Sequence, residues 1–119
     1  MLKIMLFDHE VMDVIEAEIA LSKHGFSTIK LTGSYAILPK IDFEKPDILL
    51  FNPDIPNFNA DAFLESLRLE PKLENLVIVA IAYGEEKRIE EFCLKHDLHG
   101  YFLKNNGFVD LGEFLSQFL

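Results

Sequence analysis

The chain has 119 residues, half of them hydrophobic, and carries 20 acidic against 11 basic side chains for a formal charge of -9. That length makes one domain with a core of its own, and the acidic balance argues against non-specific nucleic-acid binding, which neutralises phosphates with Lys and Arg. Cys93 is the single cysteine, so an internal disulfide is excluded and a reducing, cytoplasmic setting is expected; no apolar run approaches the roughly 20 residues of a membrane span.

Ile4-Met5-Leu6-Phe7 opens the chain as a continuous apolar run, too short for a signal segment and followed at once by acidic residues. Such a run fits a strand buried on both faces, as in a parallel sheet. The stripe Met12, Ile15 and Ile19 marks a first helix. Residues 27–32 are β-rich but alternate, which predicts a more exposed strand. A second helix is expected over residues 35–43, where Pro39 removes a donor and crowds the preceding turn, so the helix is short, broken or begins near Pro39.

The run Ile48-Leu49-Leu50-Phe51 predicts a third strand, and Phe63, Leu64 and Leu67 share a face of a helix over about residues 60–69. Val77 to Ala82 reads as a fourth buried strand. Ile89 and Cys93 repeat at i, i+4 on a strongly charged helix over residues 85–96, and residues 100–104 form a fifth strand. Leu111, Phe114, Leu115 and Phe118 mark a terminal helix, with Asp110 and Glu113 as a variant capping box.

Strand and helix alternate five times, which predicts an α/β fold: a doubly wound, five-stranded parallel sheet with right-handed crossovers. No linker, repeat or low-complexity segment interrupts it, so residues 1–119 read as one domain. In such sheets functional groups gather beyond the carboxyl ends of the strands. Those ends are Asp8-His9-Glu10, Asn52-Pro53-Asp54, Ala82-Tyr83 and Lys104-Asn105.

Pro46-Asp47-Ile48-Leu49-Leu50-Phe51-Asn52-Pro53-Asp54-Ile55-Pro56 resembles the third strand and loop of bacterial response-regulator receiver domains, where the pattern is roughly P-D-L-V-L-L-D-x-x-M-P. Lys3 to Glu10 resembles that family's K-I-L-I-V-D-D-E, Asn75 to Gly84 its fourth strand ending in T-A or S-A, and Gly100 to Asn105 its D-Y-L-x-K-P. The resemblance covers the whole chain. It implies a flavodoxin-like, CheY-like (βα)5 fold with strand order 2-1-3-4-5. Met12, Ile15 and Ile19 sit about one residue off the family's usual register counted from Asp8; a one-residue slip before Gly25-Phe26 would reconcile them.

The resemblance also assigns positions. Asn52 stands where the family has its phosphoacceptor Asp, and a neutral amide is a far weaker nucleophile than a carboxylate. Asp8 matches the first metal-holding acid, while His9 replaces the second and is a poor ligand for a hard Mg²⁺ ion. Ile81 replaces the hydroxyl that binds the phosphoryl oxygen. Lys104 matches the phosphate-pairing lysine and is expected to pair with Asp8. Asn105 replaces the proline that follows it, so the loop before the last helix should differ. Tyr101 matches the aromatic switch, and Asp54 is expected to point outward. Five positions carry the family's chemistry; Asp8 and Lys104 remain, and His9, Asn52 and Ile81 depart.

Beyond the resemblance there is no Gly-rich phosphate loop, Cys-His nucleophile pair or H-E-x-x-H motif, and Cys93 reads as packing. The sequence therefore reads as a pseudo-receiver: no enzyme, no catalytic residue, no metal or cofactor, binding protein partners without being phosphorylated, as an N-terminal module or standing alone. The alternative is a small-ligand or ion-binding domain reusing the pocket of Asp8, Asn52 and Lys104; a receiver or enzyme with displaced chemistry ranks third. The resemblance points to the face of the fourth helix, fifth strand and fifth helix for partner or homodimer contacts, with Tyr101 on it; Phe92 falls outside the Ile89–Cys93 stripe and reads either as an exposed anchor there or as packed under the neighbouring loop. Neither membrane nor direct nucleic-acid contact is expected.

Overall fold

Each apolar run becomes a strand. The computed structural model describes residues 2–118, with β1 at Lys3–Phe7, β2 at Ser27–Leu31, β3 at Ile48–Phe51, β4 at Val77–Ala82 and β5 at Gly100–Leu103. The helices between and after them are α1 (Val11–Lys23), α2 (Ile37–Glu44), α3 (Ala60–Arg68), α4 (Glu86–His96) and α5 (Leu111–Ser116). All pairings are parallel, in the order β2-β1-β3-β4-β5. The expected doubly wound sheet is present.

The two-residue period of a strand sends alternate side chains to opposite faces. Ile4 and Leu6 of β1, Ile48 and Leu50 of β3, and Val79 and Ile81 of β4 pack under α1 and α5. Met5, Phe7, Leu49 and Phe51 pack under α2 and α3, while Ala80 and Ala82 meet Ile89 and Cys93 of α4. Burying each large side chain contributes about 1.5–3 kcal/mol. The edge strand β2 is only half-buried, as its alternation predicts.

Three local expectations resolve physically. The helix α2 begins at Ile37, so Pro39 occupies its first turn, where backbone N–H groups have no intrahelical acceptor and a missing donor costs little. The capping box at α5 does not form: Asp110 sits at φ -90°, ψ 1° and its side chain makes no cap hydrogen bond. An N-cap side chain reaches the turn from an extended backbone. Asn59, at φ -91°, ψ 94°, does so for α3 and accepts from the Ala62 N–H at 3.0 Å.

In α1 the core-facing residues are Val14, Ala17 and Leu21. The stripe Met12, Ile15 and Ile19 has the same i, i+3, i+7 spacing but is displaced by two residues, about 200° around the helix, and is exposed. No slip before Gly25 is needed; a different set of residues carries the core register.

Candidate functional site

The register sets Phe7 beside Phe51 and Ala82 beside Leu103, so the next residue of each strand emerges at one sheet edge. Asp8, Asn52 and Lys104 meet there, all buried. The Lys104 ammonium lies 2.5 Å from Asp8 Oδ2 and 3.0 Å from Asp13 Oδ2, with its side chain fully covered. Asn52 Nδ2 donates to Asp8 Oδ1 at 3.1 Å, and the Glu10 N–H donates to the same oxygen at 3.1 Å. Asn52 Oδ1 accepts from the Asp54 N–H at 2.8 Å. These bonds fix the amide's orientation: the nitrogen faces Asp8, and an acid there could not donate.

A buried ammonium is costly unless paired, and two carboxylates compensate this one. Asp13, in the first turn of α1, is a member of the cluster that the motif positions do not reveal. A first-turn acid normally reads as a partner of the helix dipole; its proximity to Lys104 depends on how α1 crosses the sheet. Tyr83 is also part of the cluster. Its ring centroid lies 4.9 Å from the lysine nitrogen, and its hydroxyl donates to Asp13 Oδ1 at 3.1 Å. Burial, then the Asp13 carboxylate, push that hydroxyl's pKa above its ordinary value.

The remaining positions divide. Ile81 is wholly buried in the cluster beneath α1 and α5. His9 is half-buried and not a freely solvated loop residue: Nε2 lies 3.1 Å from Glu10 Oε1, while the buried Nδ1 has no hydrogen-bond partner. Asp54 turns away from Asp8, and both its oxygens accept from Arg88 of α4 at 2.9 and 2.8 Å. That contact holds the guanidinium's pKa above its ordinary value. Arg88 also donates to the Tyr83 carbonyl at 3.0 Å.

The β4–α4 loop is pinned from its other side as well. Asn105 accepts from the Gly84 N–H at 3.0 Å and donates to the Gly84 carbonyl at 2.8 Å. Gly84 has φ +116°, a conformation other residues rarely adopt. Lys104–Asn106 form a 3-10 turn instead of continuing the strand. Among the described residues, no three His, Cys, Asp or Glu side chains are grouped to hold a metal ion.

The anchors of the α4–β5 face are not free. Phe92 is half-buried, its ring centroid 6.3 Å from that of Phe51 and 4.7 Å from that of His96, so it packs inward instead of standing as an exposed anchor. Tyr101 donates to Glu86 at 2.9 Å, a bond that with burial pushes its hydroxyl up to about 12. His96, itself buried, donates from Nε2 to Asp61 of α3 and holds that carboxyl below its ordinary value. Cys93 is buried, which pushes its thiol up to about 11 and leaves little thiolate.

No protein-family model and no curated protein matches the sequence. Solved structures match over nearly the whole chain. The chemotaxis response regulator CheY4 of Vibrio cholerae superposes with a TM-score of 0.86 at 14% identity, covering 100% of this chain and 99% of that one. A response regulator from Desulfuromonas acetoxidans gives 0.83 at 18% identity, covering 98% and 95%. The signal receiver domain of a DNA binding response regulator from Colwellia psychrerythraea 34H gives 0.84 at 11% identity, covering 98% and 97%. At such identities the likeness is one of fold: the chain has the CheY-like receiver fold.

Proposed function

We propose that this chain is a signalling and protein-interaction module on a receiver fold, acting in the cytoplasm without phosphorylation and without enzymatic activity. One observation carries the reading. Where a receiver would hold its acceptor carboxylate, Asn52 presents an amide nitrogen that donates to Asp8. An amide is a poor nucleophile, and the lysine that would meet a phosphoryl group is already bound between Asp8 and Asp13. Ile81 offers no hydroxyl, and Asp54 is held by Arg88.

Acetyl phosphate with Mg²⁺ should leave the intact mass unchanged. A stable gain of one phosphoryl group, on Asp54 or elsewhere, would overturn the reading. Asn52→Asp should not restore labelling. It replaces a buried donor with a second carboxylate 3.1 Å from Asp8 Oδ1, and denaturant titration should show a loss of about 1–3 kcal/mol. Calorimetry of the wild type should show no tight Mg²⁺ uptake. Stoichiometric binding would instead favour an ion-binding role for the pocket.

A further inference from the structure

The sheet has β2 at one edge and β5 at the other. At the β5 edge the Gly100 carbonyl accepts from Cys93 Sγ at 3.6 Å, and the Phe114 and Phe118 rings crowd Gly100. The β2 edge is open. Ser27 donates its N–H to the Leu2 carbonyl at 2.9 Å, and the Leu31 carbonyl accepts from the Asp8 N–H at 3.0 Å. Backbone groups alternate in direction along a strand, so Ser27, Ile29 and Leu31 bond to β1 while Thr28 and Lys30 turn theirs outward. Among the described residues, no loop or side chain bonds those outward groups. An unpaired edge is a template for another strand, and a lysine is a common guard against one. Lys30 is not free to guard this edge: its ammonium is drawn to Glu18 of α1, 3.0 Å away.

Beside this edge, β2 and α2 flank an apolar cleft of about 350 Å³ lined by Met5, Ile29, Leu31, Pro39 and Phe43. Phe43, a large aromatic, is 80% exposed there. Symmetry and charge point to the occupant. Thr28 and Lys30 lie on either side of Ile29, so a second β2 placed antiparallel about a two-fold axis at Ile29 sets Thr28 against Lys30 of the second copy. In each such pair both backbone hydrogen bonds are exchanged, donor facing acceptor. Residues 27–45 hold Lys30, Lys40 and Lys45 against Asp42 and Glu44, so the acidic excess of this -9 chain lies elsewhere. Lys30 is paired with Glu18, and Glu44 lies 3.8 Å from Lys3. Like-charge opposition between two copies is therefore small along this edge.

We infer that the β2 edge pairs with the β2 edge of a second copy, antiparallel and centred on Ile29, joining two sheets into one and covering Phe43 beside the cleft. A pair of five-residue strands is small beside the roughly 1,200–2,000 Å² of a standing interface, so a reversible dimer with a Kd of about 0.1–1 mM is expected. The inference gives the interaction module proposed above a face and an occupant, and rests on that reading. Its test reads association and not phosphorylation, so the two fail separately.

Sedimentation of the wild type from roughly 0.01 to 2 mM should show a monomer passing into a dimer. Thr28→Pro removes one outward N–H and no bond to β1, and should weaken the dimer roughly tenfold or more. Phe43→Ser should weaken it several-fold, and Leu94→Ser, on the exposed side of α4, should not. Under mild oxidation Ile29→Cys should cross-link two copies, because Cα atoms in a non-hydrogen-bonded antiparallel pair lie about 4.5 Å apart, within disulfide reach. Thr28→Cys, which faces Lys30, should not, and neither should the wild type, whose Cys93 is buried. Circular dichroism checks that each variant is folded; should Thr28→Pro fail to fold, the cysteine variants decide. A monomer throughout the range would leave the edge to a foreign strand and overturn the inference. So would a folded Thr28→Pro or a Phe43→Ser that dimerises like the wild type, or Thr28→Cys cross-linking as readily as Ile29→Cys. A dimer that Tyr101→Ala abolishes would overturn it too, by placing the contact at α4 and β5.

Discussion

The helices α1 and α4 both carry apolar stripes at helical spacing, yet they meet their surroundings in opposite ways. In α4 the stripe Ile89 and Cys93 lies buried against Ala80 and Ala82, and the solvent side is mostly charged, with Leu94 its one strongly exposed large apolar residue. In α1 the bulkier stripe Met12, Ile15, Ile19 faces solvent, and the sheet receives Val14, Ala17 and Leu21. A helix with one apolar arc has one way to bury it. A helix with two arcs about 200° apart can bury only one against a sheet, and the phase at which the chain leaves β1 through Asp8–Glu10 selects it. Ala17 fits that choice, because a small residue lets a helix lie close to the strands.

The sharpest test lies where the two regions are joined. Lys104, at the end of β5, is held by Asp8 and by Asp13 of α1. Removing one partner of a buried charge cluster leaves the others uncompensated, so Lys104→Ala should lose about 3–5 kcal/mol in denaturant unfolding. A loss below about 1 kcal/mol would mean that solvent reaches the cluster and that the pocket does not tie the faces together.

Truncations within the helices sharpen the contrast. Leu21→Ala and Ile89→Ala, both at fully buried positions, should cost about 2–5 kcal/mol each. Ile19→Ala, a similar change on the outer arc, should stay within about 1 kcal/mol. Equal losses at Leu21 and Ile19 would mean that α1 buries both arcs.

A smaller effect is expected where α4 leans on α3. The hydrogen bond from His96 lowers the Asp61 pKa below its ordinary value of 3.8. A carboxyl depressed in the folded state contributes stability that is present above 3.8 and lost as the pH falls through the folded value. Thermal unfolding across acid pH should therefore show wild type and Asp61→Asn converging below that range. A constant gap would show that the bond does not depend on the carboxylate charge.

The smallest effect belongs to Tyr101. Its hydroxyl, raised to about 12 by Glu86 and burial, contributes stability present below the ordinary value of 10.0 and lost as the pH climbs through about 12. Tyr101→Phe should cost under about 1 kcal/mol at neutral pH and remove one late step from the tyrosinate absorbance titration. An unchanged titration would place Tyr101 away from the α4 carboxylates.

The strands were legible because their signal is local: runs of four to six consecutive apolar residues fit a strand covered on both faces, and β3 and β4 begin and end where those runs do. Of the outcomes Pro39 left open for α2, a short helix beginning near it is the one that forms, from Ile37. The meeting of Asp8, Asn52 and Lys104 followed from the parallel order, since successive strand ends share one edge. Asp13, Tyr83 and the Asp54–Arg88 pair could not be read this way. Each depends on a crossing angle or loop path that brings together residues 34 to 91 positions apart.

By itself the sequence determined the five-fold βα alternation, the buried strands and the amide at position 52, because each rests on residue chemistry or short-range period. The tertiary structure decided which arc of α1 is dry, that Phe92 packs inward beside His96, and that Lys104 is divided between two carboxylates. Burial of a helix face and pairing of a buried charge are settled by neighbours distant in sequence, and only the packed chain brings those neighbours into contact.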